Sequence, residues 1–310
     1  MKRSPLLLAA VLAALVACRP APHLVERVEV VGASVADAPL LGTTAAQLQA
    51  ALQRRIAAEP RLKLLPAGAR APEGAPVVRL LLELSGVREV VRTGHEGPEV
   101  EVIADLTLRR KTESGTERTE LWASGAVRPM GQTFEDRQDA ARRALDQALD
   151  DLVRGARAQL DALDQPDKVL VRDLDSPDPR TRDAALDVLA ARKHPRSVPV
   201  LLERLQSDDP LEVRRAMGAL VEMRATQAVP ALIDLARDKD PGFLRELVYA
   251  LGAIGGDEAR AYLYTVAQGH DSPVVREAAQ RALDELTQRA VRAQEQLQGA
   301  SAEAKRSPSR

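Results

Sequence analysis

The chain has a single cysteine, Cys18, in 310 residues. It can form no internal disulfide and no zinc site built on several thiolates. Aromatic residues are scarce: one Trp, two Phe and three Tyr. The core must therefore be assembled from Leu, Val and Ala, which suits closely packed helices better than a large β-sandwich. Lysine is nearly missing too, at seven of the 44 basic residues, so arginine carries the positive charge. A formal net charge of −1 leaves none of the basic excess that a nucleic-acid partner requires. The four histidines, His23, His95, His194 and His270, are scattered, and no two stand at the i, i+4 spacing of a helical metal site. No P-loop, nucleophile elbow or dinucleotide fingerprint is present. Asp150-Asp151 and Asp208-Asp209 read as surface pairs, and Ser85-Gly86 and Ser124-Gly125 as strand irregularities. The sequence thus predicts no catalytic residue, no metal and no cofactor, and the chain does not read as an enzyme.

Long apolar runs are few as well. The one that stands out is Leu6–Ala17, 12 residues behind Lys2 and Arg3. A helix that crosses a bilayer needs ~20 apolar residues, so this run fits the core of a signal peptide instead. It ends in Leu15-Val16-Ala17-Cys18. Small residues before the cysteine can enter a peptidase cleft, and the thiol is the soft nucleophile that takes a diacylglycerol thioether. This arrangement resembles the lipobox of bacterial lipoproteins. The resemblance implies a signal peptide over residues 1–17, cleavage between Ala17 and Cys18, and lipidation of Cys18. It also implies a membrane attachment of two or three acyl chains, with palmitate among them. One chain binds only marginally, whereas several make the anchor effectively permanent. Arg19 rather than Asp follows the cysteine, which points to the outer membrane of a Gram-negative envelope, facing the periplasm. Loss of Lys2 and Arg3 with the leader takes the net charge from −1 to −3.

Residues 18–23 read as a tether and 24–164 as an α+β domain. Leu24–Val31 has a strand pattern. Thr43 or Thr44 can cap a helix through Ala58, with Leu48, Leu52 and Ile56 on one face. Pro60 ends it, Arg61–Leu65 is a short strand, and residues 66–76 form a loop. Val77–Arg92 is a strand with a bulge at Ser85-Gly86. Strict alternation from Val100 to Arg109, a turn at Ser114-Gly115 and a return over Glu117–Val127 make a hairpin. A long helix follows from Glu135 to Leu163, with a stripe of Ala141, Ala144, Leu145, Ala148, Leu149, Leu152 and Val153. The expected domain is an antiparallel sheet with two helices. Its element order resembles small periplasmic domains of envelope-assembly lipoproteins.

Residues 165–298 repeat. Asp178-Pro179, Asp209-Pro210 and Asp240-Pro241 recur every 31 residues, and Asp271-Ser272-Pro273 continues the series. Asp can cap a helix whose first turn tolerates Pro. Arg182, Arg214, Arg245 and Arg276 follow, with Val188, Leu220, Leu251 and Ala282 six residues later. Second helices start with Val198-Pro199 and Val229-Pro230, and place Leu202, Ile233 and Tyr264 in one column, read as core. The Asp-Pro turn, the first-helix arginine and the Val-Pro-x-Leu-Leu or Val-Pro-x-Leu-Ile start closely resemble HEAT-like repeats, especially the short type of phycobilin lyases. The resemblance implies an all-α solenoid; a shared scaffold transfers no activity. Val169–Leu174 reads as the second helix of an incomplete first repeat, the helix from Pro273 to Leu297 as the cap, and residues 299–310 as a disordered tail.

Four of the six aromatics, Phe243, Tyr249, Tyr262 and Tyr264, fall in one repeat. Tyr249 aligns with polar or small residues, and Tyr262 reads as partly exposed. Tyrosine is enriched at interface hot spots, so these two are the candidate partner-binding residues. The expectation is a lipid-anchored periplasmic scaffold or adaptor with an unknown protein partner. The alternatives are a ligand-handling protein or enzyme accessory with a site between the domains, and a structural envelope spacer.

Overall fold

The computed structural model of the protein describes residues 21–66, 68–91, 97–113, 115–237 and 239–306. The chain divides after Asp164 into two compact units.

The first unit opens with β1 (His23–Val30), a short helix α1 (Gly32–Ala36) and a 3-10 turn (Pro39–Leu41). Helix α2 (Ala45–Ala58) follows, then β2 (Leu62–Leu64), β3 (Val77–Val90), β4 (Glu99–Thr112), β5 (Gly115–Val127) and α3 (Phe134–Leu163). Thr44 caps α2 through a capping box with Gln47, and Thr133 does the same for α3 with Asp136. The five strands lie in the order β2-β1-β3-β4-β5. β3, β4 and β5 are antiparallel, as the alternation and the turn require. β1, however, runs parallel to both β2 and β3, so the sheet is mixed and not antiparallel throughout. Parallel neighbours need a crossover, and the segment between β1 and β2 supplies one in α2. Two elements, α1 and the 3-10 turn, are additional to the helices expected from the sequence.

The core lies on one face of the sheet. Val78, Leu80 and Leu82 of β3 and Val102, Leu106 and Leu108 of β4 meet Leu48, Leu52 and Ile56 of α2 and the Ala-Leu stripe of α3. The predicted bulge in β3 sits where the register shifts between Leu84 and Gly86. Gly125 of β5 is no irregularity. A Cβ there would fall well inside contact distance of the Ala144 carbonyl oxygen of α3, and 2.9 Å from Gln147 Cβ. Glycine lets the helix backbone settle directly onto the strand.

The second unit is all helical: α4 (Asp167–Asp173), α5 (Pro179–Ala191), α6 (Ser197–Arg204), α7 (Pro210–Met223), α8 (Val229–Leu235), α9 (Pro241–Ile254), α10 (Asp257–Gly269) and α11 (Pro273–Arg306). Each Asp-Pro turn caps a first helix. Asp178, Asp209 and Asp240 accept from the backbone N–H of Arg180, Leu211 and Gly242 at 3.4, 2.9 and 2.8 Å. Val188, Leu220, Leu251 and Ala282 are all buried. Helix α11 packs on both α9 and α10. It continues to Arg306, through most of the stretch read as a disordered tail. Residues 301–305 are mostly good helix formers, and no proline intervenes before Pro308.

The first helices end alike. Lys193, Arg224 and Gly255, again 31 residues apart, have φ of 55°, 52° and 81°. His194 and Ala225 then donate back to the Leu189 and Leu220 carbonyls at 2.8 and 3.0 Å, closing the last turn. A side chain in the left-handed region costs ~1 kcal/mol or more, which glycine avoids. Arg224→Gly is therefore expected to raise stability by up to about 1 kcal/mol, measured as a higher urea midpoint at unchanged slope. A lower midpoint would show that the Arg224 side chain makes a compensating contact.

Candidate functional site

Within the first unit, polar groups converge at the end of the sheet where β1 and β2 begin. His23, assigned to the tether by sequence, opens β1 and is 8% exposed. Its Nε2 lies 3.1 Å from Asp161 Oδ1 on the last turn of α3, and its Nδ1 3.8 Å from Asp164. Arg61, just before β2, donates through Nε to Asp161 at 3.0 Å and through Nη1 to the Ala21 carbonyl at 2.5 Å. Arg110, buried at the far end of β4, pairs with Asp164 and lies 3.5 Å from Glu117. This cluster clasps the first described residues to the sheet and to α3. Burial works to raise the Asp161 carboxyl. Hydrogen bonds from His23 and Arg61, with the Arg61 charge, outweigh it and hold the carboxyl below its ordinary range.

A depressed folded-state value gives a stability contribution that is present above the unfolded carboxyl pKa and lost as pH falls through the folded one. Asp161→Asn should thus cost roughly 1–2 kcal/mol at neutral pH, discounted for partial exposure. The difference from wild type should shrink toward zero in strong acid, as followed by urea unfolding at several pH values. A pH-independent difference would mean that the carboxylate charge plays no part.

In the second unit the arginine series splits in two. Arg182 and Arg276 stand three residues after the helix-opening proline. They reach back to loop carbonyls, Ser176 at 2.6 Å and His270 at 2.5 Å. Arg214 and Arg245 stand four residues after it, a rotation of ~100°, and both are exposed. Arg214 crosses to Glu246 of α9 at 2.7 Å. Their three-residue positions are held by buried Val213 and Leu244. His194 and His270 accept from backbone N–H groups two residues on, at 3.2 and 3.0 Å, and so serve turns.

Tyr249 is exposed and bonds Arg281 of α11, which Glu277 also holds. Tyr262 is half-buried against the core, and burial pushes its phenol up. Tyr264 is 61% exposed, not a core residue. The buried column is Leu201, Leu232 and Leu263, one position earlier, while Leu202 and Ile233 are only partly covered. Each second helix carries an apolar doublet, and the repeat period alone does not say which member turns inward. Phe243 is buried between cations, with Arg214 5.9 Å and Lys239 5.6 Å from its ring centre.

Convergent chemistry is sparse. An open recess of about 290 Å³ beside the β3 bulge is lined by Ser34, Asp37, Glu83 and Ser85. Ser85 hydrogen-bonds Asp105, and Ser34 accepts from the Leu84 N–H at 3.1 Å. On α5, Asp187 has its carboxyl pushed up to about 6, chiefly by desolvation and then by Asp183, with Arg204 and Arg215 opposing. The residue keeps an exposed surface, so little stability attaches to that shift. Among the described residues, no group of three or more His, Cys, Asp or Glu could hold a metal ion. No described helix is long and apolar enough to cross a membrane. Ala17, Cys18 and His95 lie outside the described residues.

Residues 214–284 match the HEAT-repeat family. The match covers α7 from Arg214 through α10 and the first part of α11. No curated protein matches the chain. Among solved structures, a hypothetical protein from Chlamydia trachomatis is 12% identical, over 44% of this chain and 97% of its own, with a TM-score of 0.33. A candidate lipoprotein from Caulobacter crescentus is 15% identical over 45% and 93%, with a TM-score of 0.27. A minor lipoprotein from Acinetobacter baumannii is 16% identical over 44% and 94%, with a TM-score of 0.26. These likenesses are remote and assign no activity.

Proposed function

We propose that the protein is a lipid-anchored, non-catalytic scaffold that binds protein partners in the periplasm, held at the outer membrane through Cys18. The observation that carries the scaffold reading is how the HEAT-repeat unit spends its polar groups. Asp178, Asp209, Asp240, His194, His270, Arg182 and Arg276 all serve turns, while Tyr249 and Tyr264 remain at the surface. Stacked repeats offer extended surfaces for partners, and exposed tyrosines are apt anchors on them. Support for the anchor comes from the leader and from Leu15-Val16-Ala17-Cys18.

Cys18→Ser should abolish labelling by radioactive palmitate and move the protein out of the membrane fraction or leave its precursor uncleaved. Palmitate incorporation that survived the change would sink the anchor reading. For the scaffold, capture from intact envelopes should lose the same bands with Tyr249→Ala and with Tyr264→Ala, at unchanged stability. Bands indifferent to both changes would move the partner surface elsewhere, and no bands at all would favour a spacer.

A further inference from the structure

We infer that the strand-start end of the first unit rests directly on phospholipid headgroups, an inference that builds on the proposed Cys18 anchor. Only Arg19 and Pro20 separate Cys18 from Ala21. Ala21 is already fixed, because its carbonyl accepts from Arg61 at 2.5 Å. Two residues later His23 is locked to Asp161 at 3.1 Å. Three residue steps span at most ~11 Å in any conformation. A thioether at Cys18 therefore holds Arg61, and the sheet end around it, within that distance of the lipid interface.

The topology says what else is brought there. β1, β2 and β3 begin at this end and β4 finishes at it, through the pairs His23↔Leu62, Leu24↔Val77 and Val77↔Lys111. Lys63, Arg70 and Lys111 are exposed at this end, with Glu73 and Glu113 among them. Cationic groups can bond lipid phosphates, while the mixed charge makes the contact a consequence of tether length more than of attraction. The unit's large exposed hydrophobics among the described residues, Val91, Met130 and Phe134, all lie past the opposite ends of β3 and β5. The lipid-facing end thus rests on the headgroups without a large apolar side chain to insert. The eleven residue steps of β4 from Val100 to Lys111 separate the two ends by about 35 Å.

The test uses the lipidated full chain in phosphatidylethanolamine–phosphatidylglycerol vesicles. With Cys18 consumed by lipid, Lys63→Cys, Lys111→Cys and Met130→Cys each offer one thiol for a fluorophore. A headgroup spin-labelled lipid should quench the probes at 63 and 111 severalfold more than the probe at 130. A long Gly-Ser insertion after Arg19 should erase that difference while the protein still floats with the vesicles. Equal quenching at all three positions without the insertion overturns the inference. Failure to float, with Cys18 itself open to thiol reagent, overturns the anchor instead.

Discussion

Gly125→Ala should cost the first unit about 3 kcal/mol, more than most core truncations of similar size. The added methyl meets the backbone carbonyl of Ala144, not a side chain that could rotate aside. Relief requires α3 to lift off β5, and α3 carries Ala141, Ala144, Ala148, Leu149 and Leu152 into the same core. Trp122 provides the readout. It is the chain's only tryptophan and lies on β5, three residues from the substitution. Its fluorescence should report a lower urea midpoint for this unit, while tyrosine signals stay in place, since all three tyrosines belong to the second unit. Gly86→Ala is the control. That position has nothing within 4 Å of an added Cβ and no positive φ, so its midpoint should move little. A Gly125→Ala protein as stable as wild type would mean that helix and strand do not approach as described.

Leu263→Ala should cost 2–5 kcal/mol, whereas Tyr264→Ala next to it should change stability by less than about 0.5 kcal/mol. Leu263 is completely buried and continues the column of Leu201 and Leu232; Tyr264 is mostly exposed. Helical circular dichroism during urea unfolding measures both. Because neighbouring repeats complete one another's core, the damage at Leu263 should spread into α9 and α11. A large loss from Tyr264→Ala would return that residue to the core and remove it as a partner-binding candidate.

These two sites also mark where sequence reading stops. The repeat was legible because its punctuation is chemical: an aspartate that caps and a proline that cannot continue a helix stand out at a fixed spacing. The apolar doublets carry no such mark. Leu201-Leu202 and Leu232-Ile233 are equally greasy, so the choice of the second column misplaced Tyr264. The left-handed helix ends escaped notice because two of them are Lys193 and Arg224; only their spacing with Gly255 betrays them. In the first unit, alternation in β4 and the turn before β5 announced an antiparallel hairpin. The parallel pairing of β1 leaves no local trace, because it depends on where α2 returns the chain. His23 could not be recognised as part of a clasp, since its partner Asp161 is 138 residues away. Gly125 carries no sign in the sequence of the helix backbone above it.

That long reach gives the clasp a place in time as well as in space. The hairpin of β4 and β5 joins neighbours in sequence and can form early. β1 must wait for β3, and the His23–Asp161 contact must wait until the end of α3 has been made and exported. Closing so large a loop comes late among folding events. Until it closes, the residues after Cys18 trail as an open chain. The enzymes that would cleave and acylate that cysteine have their working window there, before the finished fold draws the chain in against the sheet.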